Sequence, residues 1–260
     1  MSLPRFFIPD LIQLTENQTL LLDGAQTKHI SVLRLHLGDC LEIIFPNGIW
    51  RGELASIDNN KATIRLVAPI HEDREAPIKI YAYLPITAQL SLWDEFLPGA
   101  VELGTTIFQP VIYERSQYNK SKVERRMDRW RKIVQSACEQ SHRSRIPDLL
   151  MPVPLESLHS LDIKQRWVAY ELMTAGPNPE LTLEDIAFTH GPEGGITDKE
   201  IDFLVRAGWT PISLGKSILR AATCPSAILG AIQIELGRQR FHTIAKSGKC
   251  TIYSGSTFCS

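Results

Sequence analysis

The stretch HGPEGGITDKEI, His190 to Ile201, places three of the chain's 16 glycines within five positions. Upstream of them IAFTH is a short apolar run of the kind that forms a buried strand. Downstream, Thr197 followed three residues later by Glu200 has the pattern of a capping box, which predicts a helix over Asp198–Ala207. GPEGG is therefore a loop at the carboxyl end of a strand, where open α/β sheets bind ligands. Glycine there permits positive φ and close approach of backbone N–H groups to a ligand. Taken alone, the loop also reads as a tight turn whose glycines serve geometry only.

Two neighbouring segments repeat the arrangement. TPISLG ends a predicted strand at Gly215 and leads directly into KSILR, and the predicted strand in WVAYEL (Trp167–Leu172) ends at Glu171 before the turn TAGPNP. Three such loops can surround one small ligand. No GxGxxG follows the first strand, and no GxxxxGK[ST] or GxSxG occurs, so the dinucleotide, P-loop and hydrolase readings fail. Around these loops strands alternate with helices. IKIYAYLP, IFQPVIY, RWVAYEL, IAFTH and TPISLG are the strands; Leu90–Leu103, Lys122–Glu139, Asp198–Ala207 and Ser217–Leu236 are the helices. That alternation predicts a parallel sheet covered by helices.

The first 72 residues differ. TLLLDG, CLEIIFPN, GIWRGELASI and KATIRLVAPI are short strand patterns separated by Gly-Asp, Asn-Gly and Asn-Asn turn signals, with one short helix over Gln26–Leu35. They predict a small β-barrel domain, 1–72, joined by a connector, 73–77, to an α/β domain, 78–240, and a polar tail, 241–260.

With 260 residues, 43% of them apolar and 22% charged, the chain can bury a sizeable core. No apolar run approaches the ~20 residues of a membrane span. MSLPRFFIPD lacks a signal-peptide core, so a cytoplasmic location is the expectation. Five scattered cysteines without a CxxC pair read as reduced thiols, and no cluster suggests a metal. The net charge of −1 conceals an asymmetry. Residues 115–145 hold ten Lys or Arg against three acids, which suits either an anion-binding face or a solvated amphipathic helix.

HGPEGGITDKE, ISLGKSILR and the long terminal helix resemble the C-terminal signature of the bacterial 16S rRNA (uracil-N3)-methyltransferases, members of the SPOUT class. HISVLRLHLGD (His29–Asp39), VELGTTIFQPVIYERS (Val101–Ser116) and EQSHRSRIPD (Glu139–Asp148) match further motifs of that family in order and spacing. The resemblance implies a trefoil-knotted α/β methyltransferase domain preceded by a PUA-like RNA-binding barrel. It implies S-adenosylmethionine as cofactor, small-subunit rRNA or the 30S subunit as partner, and a homodimer formed through the C-terminal domain. Leu172, Gly191, Glu193, Gly195, Leu214, Gly215 and Leu219 would line the cofactor pocket, and Arg220 would be the cation near the reacting base. Arg34, Arg115, His142, Arg143 and Arg145 would contact RNA, with Arg125, Arg126, Arg129 and Lys132 extending that face. No metal is implied.

The chain departs from the family pattern at several places. The family's acidic position after SILR is Ala222 here, its Pro-Arg pair after SLG is Lys216-Ser217, its lysine before A-x-E-L-G is Gly99, and its lysine after the first strand's Leu-Pro would fall near Thr87, where this chain has none. These departures leave two other readings open: an RNA-binding protein with weakened catalysis on the same fold, and a knotted methyltransferase for another RNA site. Pro225 demands that the last helix begin no more than one turn before it.

Overall fold

The computed structural model describes residues 3–8, 13–46, 48–58, 61–71, 75–173 and 179–247, with side chains to 238. Most of the TAGPNP turn, the start of the connector, the Asn-Asn turn, Cys250, Cys259 and the end of the polar tail lie outside the described residues.

The N-terminal part is a five-stranded sheet made of β1 (Arg5–Phe7), β2 (Thr19–Leu22), β3 (Cys40–Phe45), β4 (Gly48–Asp58) and β5 (Lys61–Ile70), with α1 (Gly24–Val32) between β2 and β3. The strand order is β1-β3-β4-β5-β2. Its pairings are antiparallel except β1 with β3. Alternation explains its inner face: in KATIRLVAPI, Ala62, Ile64 and Leu66 are buried while Lys61 and Arg65 face out. They pack with Phe6, Leu22, Ile30, Leu41, Ile43 and Leu54. Phe6 and Phe7 are thus core residues. Asp23 caps α1 through a reciprocal pair with Gln26.

The second sheet contains β6 (Ile80–Pro85), β7 (Ile107–Ile112), β8 (Asp148–Leu149), β10 (Gln165–Ala169), β11 (Ile186–His190) and β12 (Thr210–Ile212), with the short β9 (Val153–Pro154) beside β7. The order is β12-β10-β11-β6-β7-β8 and every pair is parallel. Four helices accompany it: α2 (Ser91–Glu102), α3 (Lys120–Ser141), α4 (Asp198–Arg206) and α5 (Cys224–Ser247). One face carries Ile80, Ala82, Leu84, Phe108 and Phe188 against α2, α3 and α5. The other carries Tyr83, Val111, Val168 and Ala187 against Ile201 and Leu204 of α4 and the 3-10 turn Leu155–Ser160. Burial on both faces is why these strands read as near-continuous apolar runs. Phe7, Ile44 and Ile49 of the first sheet belong to the same apolar cluster as the second, so the two sheets share a core.

Chain order and spatial order diverge at the end. After α4 the chain places β12 outside β10, then returns across the strand ends to α5, which packs on α2 on the opposite face from α4. A knot of the kind the resemblance implies would use this return path. The last helix begins at Cys224, seven residues later than the predicted Ser217, and runs to Ser247, so the stretch read as a tail from 241 opens inside it. Pro225 therefore falls in its first turn, where the missing N–H has no intrahelical partner to lose.

The two parts are joined by buried ionic contacts. Arg5 of β1 pairs with Glu42 and donates to the carbonyl oxygens of His142 and Arg143. Arg143 pairs with Glu75 and donates to Val101 O and Thr105 O, while the same carboxylate accepts from Ser144 N at 2.8 Å. Arg143 is only 6% exposed, so the RNA contact expected of it gives way to an internal role: its donors are consumed inside the protein. Removing one partner of such a pair strands the other charge in a dry site. Arg143→Met is accordingly expected to lower stability by about 3 kcal/mol in urea unfolding. A loss below about 0.5 kcal/mol, typical of exposed pairs, would contradict this role.

Candidate active site

The site is built on the carboxyl ends of β10, β11 and β12. GPEGG follows β11 and turns tightly, with Gly195 N donating to Pro192 O at 2.8 Å. Its glycines have separate causes. A Cβ at 191 would sit 2.8 Å from Ile196 Cγ1 and 3.0 Å from the carbonyl carbon of Gly195, closer than real Cβ atoms come. Gly195 has φ +76°, a left-handed conformation that disfavours any side chain. Thr197 caps α4 as the sequence predicts, its hydroxyl and Glu200 completing the reciprocal box. Glu200 also accepts from Glu114 N at 2.6 Å, tying the loop after β7 to the start of α4. From that loop Arg115 Nη1 reaches Gly194 O at 2.5 Å.

Glu193 points away from its own turn and accepts from Ala88 N through both carboxylate oxygens, at 3.1 and 3.2 Å. It thereby fastens GPEGG to the loop after β6. The third loop, 213–223, runs from β12 to α5 with Gly215 at φ +111°.

Together these loops enclose a cavity of about 640 Å3. Gly191, Glu193, Leu214, Gly215, Leu219 and Arg220 line it. Gly195 is not part of the wall but supports it, with a carboxylate oxygen of Glu171 2.9 Å from where its Cβ would be. Leu172 does not line the cavity; it is 66% exposed, because β10 ends at Ala169 and the chain has already turned outward.

Several lining residues escaped the sequence reading. Leu92, Glu95 and Phe96 come from α2, and Glu171 from the end of β10. The signal was available, since α2 follows the carboxyl end of β6, the neighbour of β11. Of the residues read as RNA contacts, Arg34 and Arg145 are exposed, Arg115 lies against GPEGG, and His142 is the left-handed C-cap of α3. On α3 itself, Arg126 and Arg129 converge on Asp94, which also accepts from Trp130 Nε1 at 3.0 Å.

Two titratable groups at the cavity are held neutral. Burial, aided by the charge of Glu171, pushes the Cys224 thiol up to about 11, so it is a poor nucleophile. His190, at the end of β11, is fully buried and is pushed down to about 4 by desolvation. Its Nδ1 donates to Gly191 O at 2.8 Å, and its Nε2 has no hydrogen-bond partner among the described residues.

Residues 74–233 match the model of the RNA methyltransferase domain, well over half of the chain. The chain belongs to this family. Residues 22–67 match the PUA domain of RNA methyltransferases, which fits the β-rich N-terminal sheet. A ribosomal RNA small subunit methyltransferase E from Synechocystis is 32% identical over 82% of this chain and 72% of its own length. The Bacillus subtilis protein of the same name is 28% identical over 86% and 93%. Among solved structures, a ribosomal RNA small subunit methyltransferase E from Neisseria gonorrhoeae bound to S-adenosylmethionine is 31% identical. It matches with a TM-score of 0.79 over 90% of this chain and 98% of that one. A Legionella pneumophila structure described as a methyltransferase in complex with the same cofactor is 27% identical with the same TM-score and coverage. The expected architecture, a PUA-like domain followed by a SPOUT-class α/β methyltransferase domain, stands.

Three of the five departures from the pattern that the resemblance implies fall at the cavity, and Gly99 and Thr87 do not line it. Ala222, Lys216 and Ser217 all line the cavity, and Gly99 faces Ser226 Oγ 3.5 Å from where its Cβ would be. Thr87 is buried and donates to Gln89 O.

The buried imidazole makes a directional prediction. Between pH 6.5 and 4 an unfolded His190 takes up a proton that the folded protein refuses, so stability must fall as pH falls through that window. Relative to His190→Leu, the parent is expected to lose about 3 kcal/mol more between pH 7 and pH 4 in urea unfolding. Superimposable pH profiles would refute it.

Proposed function

We propose that this protein transfers a methyl group from S-adenosylmethionine to N3 of a uridine in small-subunit ribosomal RNA. The observation that supports it most is the convergence of three strand-end loops, with six of the residues singled out in advance, on one cavity. The cavity suits the cofactor. About 640 Å3 lies within the range of small-molecule sites, and the glycines leave backbone groups open to close contact where a Cβ would intrude. Gly191, Leu214, Gly215 and Leu219 would hold it, with Glu193 fixing the loop from behind. Bound there, it supplies an electrophilic methyl on a sulfonium.

The protein's own tasks follow from uridine chemistry. N3 carries a proton at neutral pH, so the site must favour its departure and place the base in line. Extruding the base costs a few kcal/mol, least where it is already unpaired. Arg220 lines the cavity and supplies a cation for the charge that develops on the pyrimidine as the proton leaves. The β-rich domain, 1–72, carries exposed Arg34 as an RNA contact; the connector, 73–77, leads to the methyltransferase domain, 78–240. Arg115, His142 and Arg145 extend the RNA face. The protein acts as a homodimer in the cytoplasm. In support of the dimer, Ile218 at the cavity rim is 81% exposed and Ile234 on α5 is 59% exposed. Among the described residues no helix is long and apolar enough to cross a membrane.

Ala222 and Gly99 favour a second reading, RNA binding with weakened catalysis, because both lie where the family carries charge. Incubation with labelled S-adenosylmethionine and unmodified 30S subunits, followed by nucleoside mass spectrometry, separates the two. The proposal requires 3-methyluridine at one position, and a drop of about 100-fold in kcat for Arg220→Ala with cofactor affinity unchanged. Cofactor binding without any methylated uridine would leave the second reading.

Dimerisation has its own test. Ile234→Arg is expected to convert a dimer into a monomer in sedimentation velocity. A parent that sediments as a monomer would overturn that part.

A further inference from the structure

The cations of α3 are not equivalent. Lys120 lies 3.9 Å from Glu124, Arg131 is 3.0 Å from Asp128, and Arg126 and Arg129 share Asp94. Lys122 and Arg125 have no carboxylate within ion-pair distance among the described residues; the Nε of Arg125 donates only to Ser121 O, at 3.1 Å. Three residues apart, these two side chains share one face of the helix. With Arg126 they line a second concavity of about 380 Å3, whose remaining wall is Ala88 and Leu90. No acidic residue lines it. Its apolar wall is the loop after β6, whose Ala88 N–H is held by Glu193 of GPEGG. Groove and cavity are thus linked through one contact, from Ala88 of the groove wall to Glu193 of the cavity wall.

We propose that this groove seats the sugar–phosphate backbone of the RNA strand beside the base delivered to the cavity, with Lys122 and Arg125 each neutralising a phosphate. The inference rests on the reading above and gives it an anchoring point. A strand that places a base in a walled cavity must run its charged backbone over the rim, and the groove offers unpaired cations at that rim. Cations already neutralised by Asp94 or Asp128 gain less from a phosphate than these two. The groove is open and apolar on one side, which suits a polymer passing through more than a small anion held by enclosing donors.

The experiment compares the full-length parent, Lys122→Ala/Arg125→Ala, and the charge-matched control Lys120→Ala/Arg131→Ala. The control cations are ion-paired and lie outside the groove. Binding to a 16S rRNA transcript is measured from 50 to 300 mM salt, beside cofactor titration and steady-state methylation. Each lost phosphate contact flattens the plot of log K against log[salt] by about 0.7 to 0.9. The groove variant should therefore flatten it by about 1.5, raise KM for RNA about tenfold, and leave kcat and cofactor affinity within twofold of the parent. The control should keep the parental slope. An unchanged slope in the groove variant, or an equal flattening in the control, would overturn the assignment. Should the parent bind the transcript but form no 3-methyluridine on unmodified 30S subunits, the methylation reading falls, while the slopes still decide the groove.

Discussion

Every strand of the larger sheet runs in the same direction, so all of its carboxyl ends lie along one rim. The rest of the site follows from that constraint. Three neighbouring strands, β12, β10 and β11, must deliver their loops to one place whatever those loops contain, and β6 adds the loop that Glu193 grips. What the sequence then decides is how close the loops can come. Gly191 has no space for a methyl group, Gly195 adopts a backbone that a side chain would strain, and Arg115 braces Gly194 from the neighbouring loop. The opening cluster of glycines is thus a packing requirement at a convergence of loops.

The elements around that convergence were legible wherever local chemistry determines them. The capping box Thr197–Glu200 and the buried strand IAFTH need only neighbours in sequence to declare themselves, and both lie where expected. The apolar stripe Val123, Met127, Trp130 and Val134 marks the inner face of α3 in the same way. Features set by distant partners were not legible. Arg143 sits in a basic segment and reads as a nucleic-acid contact, yet Glu75, some 70 residues away, holds it inside. The parallel pairing of β1 with β3 joins segments separated by α1 and β2, and no period in the sequence announces it. Leu172 was misplaced by a few residues of strand length, since β10 stops at Ala169. KSILR read as the first turns of the last helix; its residues instead form the third wall of the cavity, and Pro225 marks where the helix can start.

The same distinction explains the charges. A count of basic residues over 115–145 treats them alike. The structure sorts them into a buried clasp at Arg143, a pair neutralised by Asp94, a loop brace at Arg115, and, along the groove, Lys122 and Arg125, which have no carboxylate partner among the described residues. Coulombic attraction for a polyanion comes from the last group, because a cation already paired gains less from a second anion. At the cavity, an acid expected after SILR is an alanine, while Glu95 and Glu171 bring carboxylates to the same wall from other elements.

The central claim is that the three strand-end loops close on a single cofactor. Hydrogen–deuterium exchange with and without S-adenosylmethionine tests it most directly. The account predicts slowed exchange together in 169–171, 190–196 and 213–221, with β3 to β5 unchanged. Protection confined to one of these loops, or appearing elsewhere while they exchange as before, would contradict it.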